Sequence, residues 1–286
     1  MRNIERFVLA AAGLLFLGLA VAGEVPSAER PLLQPPKFSI PSPITDRFAL
    51  RGMFYRPAIN TIVRYDNAEA GTIGTLISAE DTLGLADSRN QGWVDMMFRL
   101  TPRHRIQAKY YQQTRRGTAL LTQDVEFGDE TFTPADGQIR TGTDLRQLDL
   151  TYTYSLLRRE KIELGLGIGI HLLQFEGSIS APLRFETETL DAAGPFPTLA
   201  GFATWRMTRR FSLNADVNYL TGSTDEVEAH YEAFNADVQF RMKRNLALGL
   251  GYSRTRYKTI SIDPDFFPGY FLLSHKGPQF FLRASF

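Results

Sequence analysis

The sequence contains no cysteine, and this absence removes several classes of protein. Without thiols, the 286-residue chain has no disulfide framework, no cysteine nucleophile and no cysteine-ligated metal centre. It also lacks an excess of charge of one sign, since 32 lysines and arginines are balanced by 31 aspartates and glutamates. Nucleic-acid binding needs a basic surface, so nucleic acid is not an expected partner.

Long hydrophobic runs are missing after the first two dozen residues. A membrane-spanning helix needs about 20 consecutive apolar residues, so the sequence excludes a helical membrane protein. Residues 1–22 combine two early arginines, an apolar stretch over 7–21 and a small-x-small tripeptide at 20–22. This pattern predicts a secretory signal peptide, with a single anchoring helix as the alternative.

Prolines are concentrated directly after the predicted signal peptide. Residues 23–46 contain six of them, which is unfavourable for a strand inside a sheet. We expect a Pro-rich periplasmic segment there, acting as a passive linker or, alternatively, binding a partner domain. The remaining residues, 47–286, are predicted to form one domain.

The predicted domain is dominated by alternation of apolar and polar residues. Residues 162–172 and 211–219 are two of the clearest runs. Such runs are about 9 to 13 residues long, which exceeds a typical soluble strand and matches the 9 to 11 residues that cross a bilayer as a tilted strand. Aromatic residues tend to lie at their ends, as in the aromatic girdles of membrane barrels.

The connections between these runs are of two kinds. Short basic connections lie at 102–104, 158–161, 208–210 and 243–245, whereas the segments 178–197, 221–228 and 261–277 are long and polar. Short periplasmic turns and long extracellular loops are typical of an outer-membrane barrel. The predicted up-strands are 47–56, 104–114, 160–174, 210–220 and 244–257, and the predicted down-strands are 91–101, 143–157, 198–208, 230–242 and 270–286.

The predicted fold class is therefore all-β, a closed antiparallel transmembrane β-barrel. Ten strands are expected, within a range of 8 to 12, because 59–85 and 120–132 also alternate in part. We interpret those two segments as hairpin extensions above the membrane, and the count changes if they cross it. Closure leaves no edge strand to pair with another copy, so a monomer is expected.

The C-terminal residues place Phe280, Leu282, Ala284 and Phe286 on one face and end on an aromatic residue. This resembles the terminal strand by which Gram-negative outer-membrane barrels are delivered to their insertion machinery. The chain also resembles small OmpW-like barrels and their proteobacterial relatives, through the segments 80–85 (EDTLGL) and 98–105 (FRLTPRHR). The resemblance implies a Gram-negative outer-membrane location, the insertion machinery as a partner, passage of small apolar molecules, and no catalytic residues or cofactors.

Alternation also predicts which charged side chains face the barrel interior. They form six basic and five acidic positions, joined by one histidine, and the set is Arg51, Asp95, Arg99, Lys109, Asp149, Glu163, His171, Arg206, Asp216, Asp237, Arg241 and Arg283. In a narrow barrel, balanced charges tend to pair and fill the lumen. We interpret this set as a lumen network, with a selective solute path through it as the alternative.

The outer surface offers one candidate binding site. Arg254, Arg256 and Lys258 continue the lipid-facing register above Tyr252, where lipopolysaccharide presents phosphates that suit guanidinium groups. We expect outer-membrane lipids and lipopolysaccharide as partners. The alternatives are a bulge that reverses the register, or cations that are simply solvated.

Enzymatic motifs are missing. The four histidines occur in neither a His-x-Ser-Asn nor a Gly-x-Ser-x-Gly pattern, so an enzyme is not expected. No metal site is expected either, although the acidic loop 225–228 is a weak calcium candidate. The sequence favours a narrow channel or transporter for small solutes. A structural or surface-interaction barrel with a plugged lumen is the alternative, a lipid-modifying enzyme is third, and a lateral gap near Pro57 or Gly201 favours an apolar solute.

Overall fold

The computed structural model describes residues 41–67, 71–262 and 268–286. The predicted signal peptide and residues 23–40 lie outside the described residues. Fourteen strands occupy the described ranges: β1 Phe48–Tyr55, β2 Ala58–Tyr65, β3 Ile77–Ser78, β4 Gln91–Arg99, β5 His104–Leu120, β6 Val125–Phe127, β7 Glu130–Phe132, β8 Gln138–Arg158, β9 Ile162–Ala181, β10 Glu186–Arg206, β11 Phe211–Ser223, β12 Val227–Lys243, β13 Leu246–Ser261 and β14 Gly269–Ser285. A 3₁₀ turn, Pro134–Asp136, precedes β8. None of the described helical segments has the length and apolar character to span a membrane.

Ten of these strands close into an antiparallel barrel in the order β1-β4-β5-β8-β9-β10-β11-β12-β13-β14, with β14 paired to β1. The closing pair runs from Ala49 opposite Ser285 to Tyr55 opposite Gln279. The predicted fold class is confirmed. Each predicted crossing segment corresponds to one barrel strand.

The four short basic connections all lie at one end of the barrel, together with the start of β1 and the end of β14. We call this the turn end and the opposite end the loop end. The strands continue further toward the loop end than alternation predicts. The predicted loop 178–197 is largely strand, because β9 extends to Ala181 and β10 begins at Glu186. On this part of β9 the apolar residues face inward and the polar residues outward, which reverses the pattern of the membrane-crossing part.

The two ambiguous segments are extensions at the loop end, as predicted. β2 continues the direction of β1 after a break at Arg56 and Pro57, and pairs with the first half of β14. β3 pairs with β2, and β6 and β7 form a separate short hairpin. These elements add no further crossing strands among the described residues.

Candidate functional site

The half of the interior nearer the turn end is filled by paired charges. Glu163 on β9 is completely buried and accepts hydrogen bonds from Arg99 at 2.7 and 3.0 Å. Ser155 donates to the same carboxylate, and Arg158 lies 3.7 Å from it. A buried carboxylate is stable only when its charge and lone pairs are matched, and here three side chains on other strands match them.

A second set of ion pairs spans the lumen above Glu163. Arg51 on β1 bridges Asp95 on the neighbouring strand and Asp237 on β12, the latter at 3.2 Å. The side-chain amides of Gln107 and Asn214 donate to Asp95 and Asp237 respectively. Because β12 and β4 lie on different sides of the barrel, this network ties opposite walls together.

The remaining predicted charges of this half are also paired. Lys109 lies 2.9 Å from Asp216, which accepts a further hydrogen bond from Asn235. Arg206 contacts Glu160 at 2.7 Å at the turn end. Lys109, Asp216 and Arg206 therefore point inward as predicted, and each has a partner of opposite charge.

Residues 42–46 close the turn end. They fold as a turn inside the opening, where Ile44 is completely buried. Asp46 accepts hydrogen bonds from Arg241 at 2.7 Å and Arg283 at 3.1 Å, and Arg158 donates to the carbonyl of Ile44. The sequence indicated a linker here and gave no sign of this contact, because Asp46 precedes the first alternating run.

His171 lies near the middle of the lumen, in a polar cluster of its own. Its Nδ1 is 2.7 Å from Asp149 and 3.2 Å from the Tyr231 hydroxyl, and its Nε2 is 3.0 Å from the Thr198 hydroxyl. Carboxylate, imidazole and hydroxyl follow the order of a hydrolase triad. However, the hydroxyl belongs to a buried threonine and Tyr231 shares Nδ1, so we assign the cluster to lumen packing.

The half nearer the loop end has an apolar interior. The hairpin residues Val125, Phe127 and Phe132 are almost completely buried among inward side chains of the barrel wall. Phe175 and Phe271 contact each other there, with ring centroids 4.9 Å apart. The loop end is thus packed shut by side chains from 77–85 and 121–132.

Glu80 anchors the first of these closing segments. Its carboxylate accepts hydrogen bonds from Arg115 at 2.5 Å and from the Thr61 backbone N–H at 2.8 Å, and Arg115 also donates to the Thr61 hydroxyl. Sequence reasoning missed Arg115 because β5 was expected to end at residue 114. Arg115 is six residues from Lys109, so alternation predicts an inward side chain once β5 is extended beyond residue 114.

The barrel wall is incomplete between β10 and β11. These strands pair only from Leu199 to Arg206 on β10, so Glu186–Thr198 is paired with β9 alone. No backbone hydrogen bond joins this part of β10 to β11 or β12 among the described residues. We call the unpaired side of Glu186–Thr198 the β10 edge.

Two prolines lie on the β10 edge. The backbone N–H of Arg206 donates to the carbonyl of Lys161 on the β9 side. Backbone N–H groups alternate in direction along a strand, so those of even-numbered β10 residues point toward β9 and those of odd-numbered residues point toward β11. Pro195 and Pro197 are odd-numbered and therefore lack their N–H groups on the β11 side. Proline is tolerated at the edge of a sheet, where it blocks further pairing, so the sequence itself keeps this edge open.

An apolar cavity lies directly behind the β10 edge. Its volume is about 30 Å³, and its walls include Leu173, Phe175 and Phe271 together with edge residues from Leu190 to Phe196. The polar cluster around His171 lies just below it, since Phe196 is opposite His171 in the β9–β10 pair. The cavity thus belongs to the apolar half of the interior.

The other predicted weak point, near Pro57, is closed. Ala58 bridges to Ser88, and the Arg56 N–H donates to Pro278 across the break at 3.4 Å. Nearer the loop end, residues 84–85 pack directly against Gly117. The contact is so close that a Cβ at position 117 would lie 2.3 Å from the carbonyl oxygen of Gly84. The wall is therefore closed near Pro57, and its unpaired stretch on β10 lies above Gly201, which is itself paired with Val217.

The outer surface carries an apolar belt. On β9 the outward residues from Ile162 to Leu172 are apolar, and Gln174 and Glu176 follow them toward the loop end. Eleven residues is the length that a tilted strand needs to cross a bilayer. On β12 the belt spans Phe234–Met242. In lipid, only a helix or a closed barrel can satisfy the hydrogen bonds of its backbone N–H and C=O groups. A closed barrel with an apolar belt of this height is therefore a membrane-spanning structure.

The chain is an outer-membrane β-barrel. The predicted Gram-negative outer-membrane location and the resemblance to small outer-membrane barrels are confirmed at the level of class. Short turns face the periplasm in such barrels, so the turn end is periplasmic and the loop end is external.

Comparisons with known proteins gave matches among solved structures alone. No protein-family model matches the chain, and no curated protein matches it. Among solved structures, the outer membrane protease OmpT from Escherichia coli is 12% identical, with a TM-score of 0.49, over 83% of this chain and 97% of that one. An outer membrane channel from Pseudomonas putida F1 is 12% identical (TM-score 0.36; 88% and 99% covered), and the outer membrane protein OprG from Pseudomonas aeruginosa is 11% identical (TM-score 0.34; 84% and 95%). At these identities and scores, the likeness says nothing about activity.

The predicted surface residues lie on the outer wall. β13 pairs with β14 without a register shift, so the alternative bulge above Tyr252 does not occur. Arg254 lies 3.2 Å from Glu232 and Lys258 lies 3.4 Å from Glu228. At the C-terminus, Phe280, Leu282 and Phe286 are exposed on the lipid side, and Ala284 is half-buried in the same register. Their role as an insertion signal stays a prediction.

Proposed function

We propose that this barrel transfers small apolar molecules laterally, from the external medium into the outer leaflet of the membrane, by way of the β10 edge. The observation that carries the proposal is the position of that edge. Asp191 lies above the apolar belt, whereas Pro195 is paired with Leu172 at the top of the belt. The edge therefore runs from the level of the external medium to the top of the lipid-facing belt, as a lateral route requires.

The interior supports a lateral route rather than an axial one. Apolar side chains line the cavity behind the edge, which favours an apolar solute. Toward the periplasm, the solute would meet the ion pairs of Arg51 and Glu163 and then the turn at 42–46. Breaking buried ion pairs costs several kcal/mol, so leaving sideways is the cheaper path.

The test is uptake of labelled naphthalene by intact bacteria that produce the full chain. Intact cells are needed because an apolar molecule crosses a plain phospholipid bilayer without help, whereas the lipopolysaccharide leaflet retards it. Pro195→Thr/Pro197→Thr restores two N–H donors facing β11, and Ala192→Phe fills the cavity. Both variants should lower uptake to the level of cells without the protein.

Matched controls separate the edge from general damage to the barrel. Pro278→Ala removes a proline elsewhere in the wall, and Ala236→Phe adds an aromatic ring to the lipid face of β12. Both should retain uptake, with folding verified by a heat-shift gel. Uptake that survives closure of the edge would show that the proposal is wrong.

A structural or surface-interaction barrel is the second candidate, and closure of both lumen ends favours it. On that view, the producing cells take up no more naphthalene than control cells. Both candidates predict no ion conductance in a planar bilayer. Discrete channel openings by the unmodified protein would contradict both and revive an axial pore.

A further inference from the structure

The outer wall carries a cluster of positive charges just above the apolar belt. The cluster extends beyond β13, because Lys276 on β14 is directly opposite Arg254 and Arg56 follows the outward residue Phe54 of β1. Two adjacent strands and the break after β1 thus contribute to one patch. We call it the cationic patch, and its members are Arg56, Arg254, Arg256, Lys258 and Lys276.

The cationic patch is only partly neutralised by the protein. Its five cations face two carboxylates on the adjoining strand, Glu228 and Glu232, which contact Lys258 and Arg254. Within the described ranges, Lys276 and Arg56 form no ion pair with a carboxylate. Like charges directly opposite each other on neighbouring strands are destabilising, so the Arg254–Lys276 pair favours binding of an anion.

An apolar groove lies below the cationic patch on the lipid side of the same wall. Its volume is about 440 Å³. It exists because Gly52 and Gly92 present no side chain outward. Val94 is directly opposite Gly52 and Phe54 is directly opposite Gly92, and their side chains form walls of the groove. Phe280 forms another part of its wall.

The patch and the groove have the spacing of one amphiphile. Phe280 is four residues from Lys276 along β14, which is about 13 Å at strand rise, and Phe54 is two residues from Arg56. A lipid seated in the groove therefore places its headgroup at the level of the cations. Guanidinium and ammonium groups bind phosphate oxygens strongly when they converge from several strands.

We propose that this wall is a binding site for one lipopolysaccharide molecule, with the phosphates on Arg56, Arg254 and Lys276 and an acyl chain in the groove beside Gly52 and Gly92. The external position of the patch selects a lipid of the outer leaflet. Its two chemical parts, phosphate and acyl chain, are recognised by separate residues. Each part can therefore be removed alone.

The first experiment measures lipopolysaccharide binding to the full chain refolded in detergent. Arg56→Gln/Arg254→Gln/Lys276→Gln should weaken binding at least tenfold. The matched control, Arg140→Gln/Arg146→Gln, removes outward cations above the belt on β8 and should change binding less than twofold. Equal losses in both variants would reduce the patch to general surface charge and overturn the proposal.

The second experiment fills the groove. Gly52→Leu is suited to this, because a Cβ added at Gly52 has nothing within 4 Å. It should weaken binding of lipopolysaccharide but not of its deacylated, still phosphorylated core, whereas Ala236→Leu on β12 should affect neither. Unchanged binding of the acylated lipid by Gly52→Leu would show that the groove does not hold a chain.

Binding measurements with other ligands identify the source of the phosphate. Lipopolysaccharide without phosphates should bind the unmodified protein and the triple variant equally weakly. Vesicles of phosphatidylglycerol should bind more weakly than lipopolysaccharide, and inorganic phosphate should not displace it. Full displacement by inorganic phosphate would instead indicate a free-anion site and overturn the lipid assignment.

Discussion

The two halves of the barrel interior are built from the same alternating strands but filled by opposite chemistry. Toward the turn end, the inward positions carry many charged side chains, most of them paired, as in Glu163 with Arg99. Toward the loop end they are apolar, and hairpin residues such as Phe132 pack among them. The difference follows from what closes each end. A five-residue turn cannot fill a wide opening, so long charged side chains must reach across, whereas folded hairpins supply apolar side chains directly.

The largest effect is expected from breaking the charged half at Glu163. Glu163→Ala leaves Arg99 and Arg158 buried near each other without their carboxylate, and should lower the free energy of unfolding by about 5 kcal/mol. Urea unfolding in detergent micelles, followed by tryptophan fluorescence, measures the loss. Arg99→Met/Glu163→Leu removes both charges and should recover part of it. A fully stable Glu163→Ala protein would contradict the pairing.

A somewhat smaller effect is expected in the apolar half. Phe132→Ala removes a completely buried ring from the closing hairpin and should cost about 4 kcal/mol. The same unfolding assay applies, and Leu183→Ala, at an exposed position, is the control. If Phe132→Ala and its control behave alike, the hairpin does not pack into the barrel.

Asp46 tests whether the turn end depends on a single residue. Asp46→Asn leaves Arg241 and Arg283 without a carboxylate and should cost about 3 kcal/mol. It should also release residues 42–46, so trypsin should cleave at Arg47 faster than in the unmodified protein. Glu160→Gln, at an exposed pair of the same end, provides the comparison. Equal cleavage rates in all three proteins would show that Asp46 does not hold the turn.

The smallest effect concerns acid pH at the loop end. The pKa of Asp136 is lowered, chiefly because its carboxylate accepts the Thr133 N–H and secondarily because Arg184 lies beside it. A lowered folded-state pKa stabilises the turn above the ordinary pKa of aspartate, and this contribution is lost as pH falls below about 4. Hydrogen exchange at the Thr133 amide should therefore quicken, relative to its intrinsic rate, only in acid. Asp136→Asn should remove that pH dependence.

Alternation alone predicted much of this molecule. It located all ten crossing segments and the inward direction of Arg51, Asp149 and Glu163, because side chains of a strand alternate whatever the partner strand is. It failed where alternation stops or fades. Arg115 was missed since polar residues occupy both faces of β5 above the membrane, and Asp46 since no strand contains it.

The candidate sites show the same division. The prolines of the β10 edge are visible in the sequence, but their meaning depends on which neighbour their missing N–H groups face, and pairing decides that. Likewise Arg254 was expected on the outer wall from its register. Lys276 and Arg56 joined it only once β14 was paired with β13 on one side and with β1 and β2 on the other.

The sequence by itself determined the fold class, the membrane-crossing segments and the face of the side chains within those segments, because these depend on local periodicity and hydrophobicity. Tertiary structure alone decided that both ends are closed, that Glu80 and Asp46 anchor the closures, and that the wall is unpaired along Glu186–Thr198 but closed near Pro57. Those features are contacts between residues far apart in the chain. Strand register and closure of the barrel create them, and no local pattern encodes either.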